Sequence, residues 1–235
     1  MTHAAATRTV SVIIPLHDHA HTVLAAVESA LQQRNLPDDV RVEVIVVDDA
    51  STDGGADLLD PNTVTVIRQP SRRGAAAARN LGVARSTGEF LVFLDSDDLL
   101  APNRIANQLA VLAESPDLDA VSGQIEEFAD EGYVPPRAPR TATPTLMAGV
   151  LMIRRAAFES VGGFNEQIEH REVVEWGARL QRSGAVIAQL HEVVLLRRFH
   201  AKNHGLDGTH SADLLRAVRQ HVLARKPSDD SPHAG

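Results

Sequence analysis

Residues 90–98 read FLVFLDSDD, a run of five apolar residues followed directly by three aspartates around one serine. A short apolar run of this kind is typical of a strand that is buried on both faces of a parallel sheet. Acidic residues placed where such a strand ends lie at the carboxyl edge of the sheet, where open α/β sheets bind their ligands. This stretch therefore predicts the fold class and also where the chemistry takes place.

On both sides of this stretch, strand-like and helix-like segments alternate along the first half of the chain. The predicted strands are residues 10–15, 41–47, 64–67 and 90–94, and the predicted helices are residues 22–33, 75–84 and 103–114, with a short helix that ends at Leu59. This alternation predicts an α/β fold in which a mostly parallel sheet is flanked by helices and joined by right-handed crossovers.

The second half of the chain is less regular. The predicted strands are residues 120–125, 146–153 and 193–199, and the predicted helices are residues 174–181 and 211–224. Residues 126–144 are polar and contain four prolines, which predicts a loop over the sheet. We expect a single domain over residues 1–225 and a disordered tail over residues 226–235.

Composition and charge narrow the class of protein. The 235 residues carry 23 Lys+Arg and 31 Asp+Glu, a formal net charge of −8, which argues against a nucleic-acid partner. Cysteine is absent, so disulfides, thiolate metal sites and cysteine nucleophiles are excluded. No apolar run approaches the roughly 18–20 residues of a membrane span, and the first residues lack a secretory signal. The sequence predicts a cytoplasmic protein without an integral membrane segment.

Two acidic clusters are predicted at the same edge of the sheet. Residues 48–53, which follow the second strand, contain three aspartates, and residues 95–98 contain three more. Carboxylates gathered in this way repel one another unless a cation lies between them, and carboxylate oxygens suit Mg²⁺ and Mn²⁺. For residues 49–53, turn and helix-cap chemistry is an equally good explanation.

Four segments of the chain, taken in order and spacing, resemble the family 2 glycosyltransferases of GT-A fold. The segments are residues 11–15, 46–54, 74–80 and 88–98, and residues 161–166 resemble a further family segment. The resemblance implies a Rossmann-like GT-A sheet with an irregular acceptor-side second half. It also implies an inverting transfer of a sugar from a nucleotide-sugar donor, typically a UDP-sugar, to an acceptor, aided by Mn²⁺ or Mg²⁺. Residues 10–105 would bind the donor and residues 106–225 the acceptor.

The resemblance assigns the metal-binding and donor-binding roles at the end of the fourth strand. Asp95, Ser96 and Asp97 match the acidic DXD motif of the family. Asp97 would bind the metal, and Asp95 would join it or hold the ribose of the donor, with Ser96 beside them. His200, which follows the last predicted strand, would complete the metal shell or bind a phosphate oxygen, since imidazole suits Mn²⁺ better than Mg²⁺.

The resemblance also predicts which residues hold the nucleoside. Asp49 matches the position whose carboxylate contacts the base, and Pro15, Leu16 and His17 would line the slot, partly through backbone groups. Arg73 would reach the base or the phosphates, although a solvent-exposed arginine is an equally ordinary interpretation.

An inverting transferase also needs a general base beside the acceptor. The family commonly supplies it from an acidic pair at the start of a helix, and counting back from Arg179 places that pair on Glu172 and Val173, so the second acid is absent. We predict Glu172 as the base, with Glu175 next because it lies near the same helical face, and Glu169 third.

Four nearby residues are assigned structural or solvent-facing positions. Arg79 and Asn80 are expected to be structural, Trp176 is expected to pack in the core, and His19 is expected to face solvent.

Three other classes of protein compete with this interpretation. A response-regulator receiver has an early acidic pair, but it is about half as long and needs a lysine after a central strand, whereas the only lysines are Lys202 and Lys226. A nucleotidyltransferase needs a basic, glycine-rich loop after the first strand, which the chain lacks. A catalytically degenerate GT-A protein that binds a nucleotide or a partner stays open, because Val173 replaces an acid.

Overall fold

The computed structural model describes residues 7–135, 137–141, 143–144, 147–168 and 171–199. The strands are β1 (Arg8–Leu16), β2 (Val40–Asp48), β3 (Thr65–Arg68), β4 (Phe90–Phe93), β5 (Leu99–Leu100), β6 (Ala120–Ala129), β7 (Thr143–Pro144), β8 (Met152–Arg154) and β9 (Ile187–Phe199). The helices are α1 (Val23–Leu31), α2 (Ala75–Arg85), α3 (Arg104–Glu114), α4 (Arg155–Val161) and α5 (Glu172–Arg182), with 3₁₀ turns at Gly55–Leu58 and Ala148–Val150.

The strands form one sheet in the order β3-β2-β1-β4-β8-β6-β9-β5, and β7 pairs with β6. Strands β3, β2, β1 and β4 run parallel to one another. Strand β8 is antiparallel to both of its neighbours, β4 and β6, whereas β6 and β9 are parallel. The predicted α/β fold with a mostly parallel sheet is confirmed, and the antiparallel pairings all involve β5, β7 or β8.

The sheet is the middle layer of three, because alternate residues of each strand point to opposite faces. Val10, Val12 and Ile14 of β1 belong to a buried cluster that includes residues of α1 and α3. Ile13, between them, belongs to a second cluster that includes residues of α2, α4 and α5. Burial on both faces explains why the strands of the first half are almost continuously apolar.

The second half differs from the prediction in several places. Strand β7 lies inside the predicted loop over residues 126–144, and β9 begins at Ile187 rather than at residue 193. Strand β6 continues to Ala129, so residues 126–129 are not loop: they pair with β9 while Glu127 and Phe128 alternate across the sheet. The predicted strand over residues 146–153 is reduced to β8, because residues 148–150 form a 3₁₀ turn. Helix α4 has no counterpart in the sequence prediction, because seven residues are too few to show a helical period.

Two side chains of α3 hold that 3₁₀ turn in place. Arg104 is 1% exposed, and its guanidinium donates to Gly149 O at 2.7 Å and to Leu151 O at 3.0 Å. Gln108, one helical turn later, donates to Val150 O at 2.8 Å. Buried carbonyl groups need such donors, so a tertiary contact rather than local sequence sets the shape of this segment.

Two predicted segments lie outside the described residues: the helix over residues 211–224 and the disordered tail over residues 226–235. Among the helices that the structure describes, none combines the length and apolar character needed to cross a membrane.

The carboxylate of Glu43 on β2 ties the start of β4 to the sheet. Its Oε1 accepts hydrogen bonds from Ser11 Oγ at 2.5 Å, from the Thr87 amide at 2.6 Å and from the Gly88 amide at 2.9 Å. A Cβ on Gly88 would lie 2.3 Å from Ser11 Oγ, so the close approach requires glycine. Burial raises the pKa of Glu43, but these hydrogen bonds outweigh it and hold the pKa below its ordinary value.

Replacing Glu43 by glutamine is expected to lower the free energy of unfolding by about 1–2 kcal/mol at neutral pH, because charge-assisted hydrogen bonds are lost. Since the folded-state pKa is depressed, the ionised carboxylate stabilises the fold above its unfolded-state pKa, and this stabilisation is lost as the pH falls through the folded-state pKa. Denaturant unfolding at neutral and at acidic pH measures the difference, with the exposed Glu28→Gln as the control. A difference that stays equally large after full acidification would contradict this account.

Candidate functional site

The carboxyl ends of β1, β2 and β4 lie side by side at one edge of the sheet. Leu16 is in register with Asp48, and the amide of Asp49 donates to Leu16 O at 2.8 Å. The amide of Leu94 donates to Ile13 O at 3.1 Å. The loops that follow these three strands therefore meet at this edge, where α/β sheets bind ligands.

Asp18 locks the loops after β1 and β2 together. Its Oδ1 accepts a hydrogen bond from the Thr52 amide at 2.7 Å, and Asp53 Oδ2 accepts one from the Ala20 amide at 2.8 Å. Asp18 and Ala50 have φ angles of 51° and 56°, which lie in the left-handed region that residues other than glycine adopt only uncommonly. Strained backbone of this kind gathers at binding sites, which supports these loops as part of the site.

The three residues predicted to line the nucleoside slot offer a ligand different groups. Pro15 and Leu16 are buried, Leu16 completely, so their side chains are closed to a ligand, and Leu16 O already accepts a hydrogen bond from the Asp49 amide. The side chain of His17 is 29% exposed, and its Nδ1 lies 2.9 Å from Asp49 O. Of the three, His17 is the one whose side chain can contact a ligand.

The buried side chain of Asp49 holds residues 69–74 against this edge. Its Oδ1 accepts hydrogen bonds from Gln69 Nε2 at 2.9 Å and from the Arg73 amide at 2.6 Å, and its Oδ2 accepts one from the Gly74 amide at 2.7 Å. These bonds leave one acceptor position on Oδ2. The contact between Asp49 and a nucleobase stays a prediction. No sequence pattern singles out Gln69, because a lone glutamine after a strand is common.

Arg73 forms an ion pair with the second half of the chain. Its Nη2 lies 2.8 Å from Glu166 Oε2, and both side chains are partly exposed. Glu166 Oε1 also accepts a hydrogen bond from Asn80 at 3.1 Å, and Asn80 donates to Phe164 O at 2.8 Å. Asn80 is thus structural in this arrangement, and Arg73 would have to exchange Glu166 for a ligand in order to bind one.

Asp95, Asp97 and Asp98 form the acidic cluster that the sequence predicts. One carboxylate oxygen from each lies within 4.8 Å of the other two. Burial raises the pKa of Asp98 well above its ordinary value, and the charges of Asp97 and Asp95 raise it further. Three oxygens under mutual repulsion form a donor set that fits a hard divalent cation. Asp98 has no separate role in the sequence prediction, although it lies in the same four-residue motif.

The sequence predicts that His19 faces solvent, but the structure places it against Ser96 of the acidic motif. It is partly buried, and its Nδ1 lies 2.8 Å from Oγ of the buried Ser96. The side chain crosses from the loop after β1 to the acidic cluster, a contact between residues 77 positions apart that no local pattern reveals.

Arg79 on α2 joins the acidic cluster to the predicted base. Its Nη2 lies 2.6 Å from Asp95 Oδ1, and its Nη1 lies 2.8 Å from Glu172 Oε1. Glu172 Oε2 is buried and has no hydrogen-bond partner among the described residues. Desolvation opposes ionisation of Asp95, but the charge and hydrogen bond of Arg79 outweigh it and lower the pKa of that carboxyl. A residue expected to be structural therefore contacts two predicted site residues.

Glu175, the second candidate base, is paired with Arg179 on the same helix. Arg179 Nε lies 2.7 Å from Glu175 Oε1 and Nη2 lies 3.1 Å from Oε2. Arg179 also donates to Gly163 O at 2.6 Å, so the pair anchors the preceding segment. Trp176 is fully buried, as expected, and its Nε1 donates to Gly162 O at 2.9 Å.

A cavity of about 60 Å³ lies beside the acidic cluster. Its polar lining comes from Arg79, Asp95, Asp98 and Arg197, and Val173 contributes to its apolar wall. Val173 stands where the family resemblance predicts a second acid, so an apolar side chain replaces a carboxylate in the wall of this cavity. Glu169 and His200 lie outside the described residues, so their roles stay predictions.

The chain is similar to known proteins over most of its length. A sequence model of the family described as Glycosyl transferase family 2 matches residues 11–170, more than half of the chain. An uncharacterised glycosyltransferase of Haemophilus influenzae is 26% identical over 91% of this chain and 76% of its own length. GlyG of Streptococcus pneumoniae is 33% identical over 51% of the chain and 40% of its own. The UDP-Glc:alpha-D-GlcNAc-diphosphoundecaprenol beta-1,3-glucosyltransferase WfaP of Escherichia coli is 36% identical over 43% of the chain and 39% of its own.

Solved structures show the same fold. The Staphylococcus aureus protein TarS, residues 1–349, in complex with UDP-GlcNAc superposes with a TM-score of 0.68 at 18% identity, over 92% of this chain and 66% of that one. The same protein in complex with UDP gives a TM-score of 0.66 at 19% identity, over 81% and 60%. The chain thus spans 60–66% of these structures, and the likeness concerns the fold.

Proposed function

The chain belongs to glycosyl transferase family 2, as its motifs predict, and we propose that it transfers a sugar from a UDP-sugar to an acceptor with inversion at the anomeric carbon. In this proposal Asp95 and Asp97 hold a divalent cation, Mn²⁺ or Mg²⁺, and Glu172 is the general base. The observation that carries it is the link through Arg79 between an acidic cluster suited to a cation and a buried carboxylate with one unused oxygen.

On the donor side, the residues at the sheet edge bind and orient the nucleotide. Asp49 contacts the base through its remaining acceptor position, with the backbone of Pro15 and Leu16 and the ring of His17 around the nucleoside. Arg73 leaves Glu166 to reach the base or the phosphates. A bound divalent cation supplies positive charge that offsets the charge developing on the departing diphosphate.

On the acceptor side, Glu172 Oε2 removes the proton of the attacking hydroxyl. The acceptor oxygen forms a bond to the anomeric carbon while the bond from that carbon to the diphosphate oxygen breaks, and the electron pair leaves with the diphosphate. One oxygen of this carboxylate is held in an ion pair and the other has no hydrogen-bond partner among the described residues, so the second is the oxygen that takes the proton. Glu175, held by Arg179, is the secondary candidate.

The choice of UDP rests on the relatives. WfaP is named for a UDP-glucose donor, and TarS has been solved with UDP and with UDP-GlcNAc. This chain spans only part of each of these proteins, so its acceptor is not carried over from them.

Calorimetric titration with UDP, with and without Mn²⁺, tests the donor half of the proposal, and GDP and dTDP are the controls. We expect the Kd for UDP to rise about tenfold or more when the cation is removed. A tenfold rise corresponds to a loss of about 1.4 kcal/mol of binding free energy. GDP and dTDP are expected to bind more weakly than UDP. Equal binding with and without Mn²⁺, or no binding of any of the three, would refute the proposed donor site.

Val173 in the cavity wall favours one other candidate, a degenerate GT-A protein that binds nucleotide without transferring sugar. Release of UDP from UDP-glucose or UDP-GlcNAc, with water as the acceptor, separates the two. Turnover above the uncatalysed rate identifies an enzyme, whereas metal-dependent UDP binding without turnover, with water and with added sugar acceptors alike, favours a binding module.

A further inference from the structure

Arg79 is a buried guanidinium shared between two carboxylates that come from distant parts of the chain. It is 5% exposed, and it contacts Asp95, 16 residues away, and Glu172, 93 residues away. Its guanidinium carbon also lies 5.6 Å from the ring centroid of Phe164. The planar fork of arginine suits this arrangement, because its two terminal nitrogens can each serve a different partner.

The ion pairs around Arg79 are costly unless all of them form. Burying a charge lowers the stability of the fold through desolvation, and a buried carboxylate that loses its cationic partner lowers it further. The charges of Asp95 and Glu172 more than offset the burial of Arg79 and keep its pKa above the ordinary value. Other contacts in this region, such as Asn80 with Phe164, already join α2 to the second half of the chain. The neutral Asn80 therefore joins α2 to the second half of the chain, whereas the charged Arg79 holds the carboxylates of Asp95 and Glu172 in position.

We propose that Arg79 is a positioning residue for the transfer reaction. It occupies Oε1 of Glu172, so that Oε2 is the oxygen left for the acceptor proton, and it occupies Oδ1 of Asp95, so that the other oxygen is left for the cation. One rigid group thereby sets the base and the cation-binding acid at a fixed separation. This inference rests on the proposed function, because it assumes that Glu172 takes the proton.

The test is a double-mutant cycle on the full chain between Arg79→Lys and Glu172→Gln. The readouts are kcat and KM for UDP release from UDP-glucose, with water as the acceptor, and the affinity for UDP with Mn²⁺. A lysine keeps the positive charge but presents a single nitrogen, so it cannot serve both carboxylates in the same way. We expect Arg79→Lys to lower kcat by about 30-fold or more, while KM and the affinity for UDP change by less than about threefold.

The cycle separates positioning from a structural role. If Arg79 acts through Glu172, Arg79→Lys is expected to change kcat by less than about twofold once Glu172 is already glutamine, because coupled residues are not additive. Effects on kcat that multiply would overturn the proposal.

Arg155→Lys is the matched control. Arg155 likewise serves several acceptors, donating hydrogen bonds to Gly88 O, Val83 O and Ser86 Oγ, but it lies away from the acidic cluster. Thermal unfolding is measured for both lysine variants. A fall in kcat for Arg155→Lys equal to that for Arg79→Lys would also overturn the proposal, since a general loss of rigidity would then explain both.

A second variant keeps the proposal testable if Arg79→Lys does not fold. Arg79→Gln combined with Glu172→Gln is compared with Arg79→Gln alone, so that Asp95 lacks its arginine partner in both. Equal turnover is expected, and a further loss of about tenfold or more in the double variant would overturn the proposal. A wild-type chain that neither binds UDP with Mn²⁺ nor releases UDP refutes the proposed function, and this inference with it. An active wild type with multiplicative effects refutes this inference alone.

Discussion

Replacing Asp97 by asparagine is expected to lower the turnover of UDP-glucose by about a thousandfold or more. The amide keeps the size of the side chain but removes a charge that would bind the cation, and a metal contribution of several kcal/mol corresponds to roughly this factor. The same variant is expected to lose the Mn²⁺-dependent part of UDP binding, which calorimetry measures independently of turnover. The prediction therefore does not rest on activity alone.

Asp38→Asn is the matched control for Asp97→Asn, because Asp38 is an exposed aspartate on the loop before β2. Its turnover and UDP binding are expected to equal those of the wild type. If Asp97→Asn keeps Mn²⁺-dependent UDP binding at wild-type strength, Asp97 does not hold the cation. Asp95 and Asp98, whose oxygens lie within 4.8 Å of that of Asp97, are then the residues to exchange next.

The second large effect is expected at Glu172. Glutamine is nearly isosteric and cannot accept the proton, so Glu172→Gln is expected to lower kcat by about 10²–10⁴-fold while UDP binding stays the same. Glu175→Gln, on the same helix and paired with Arg179, is expected to change kcat by less than about threefold. The measurement is UDP release under saturating UDP-glucose.

The opposite pattern would assign the base to Glu175. If neither substitution changes kcat in an active enzyme, the base lies elsewhere, and Glu169 is the next residue to test. Thermal unfolding accompanies both variants, because Glu172 is an ion-pair partner of the buried Arg79 and its replacement also changes stability.

The parts of the fold that can be predicted from the sequence are the strands that are buried on both faces of the sheet. Strand β4 and the carboxyl-terminal parts of β1 and β2 are buried on both faces, so their sequences are nearly continuous apolar runs that leave one interpretation. In contrast, residues 126–129 of β6 read Glu-Glu-Phe-Ala, which lacks the strict alternation of a half-buried strand, and they precede a proline-rich segment, so their local pattern resembles a loop. The 3₁₀ turn at Ala148–Val150 depends on Arg104 and Gln108, whose contacts are 42–47 residues away.

The candidate site divides in the same way. The acidic residues after β4 are contiguous, so the motif places three potential cation ligands at once. The partners of Asp49 and Glu172 are not contiguous: Gln69 is 20 residues from Asp49, and Arg79 is 93 residues from Glu172. A sequence motif specifies which groups are present, whereas the neighbours that orient them are determined by how the helices pack on the sheet.

The place of β8 between β4 and β6 affects how the chain matures during synthesis. Strands β1 to β4 come from residues 8–93 and can pair as soon as that stretch leaves the ribosome, but β4 gains its second neighbour only when residues 152–154 have been made. Until then the apolar edge strand Phe90–Phe93 has unpaired backbone groups, the feature that promotes association between chains. Nascent chains stalled between these two points would therefore be the species most in need of a chaperone.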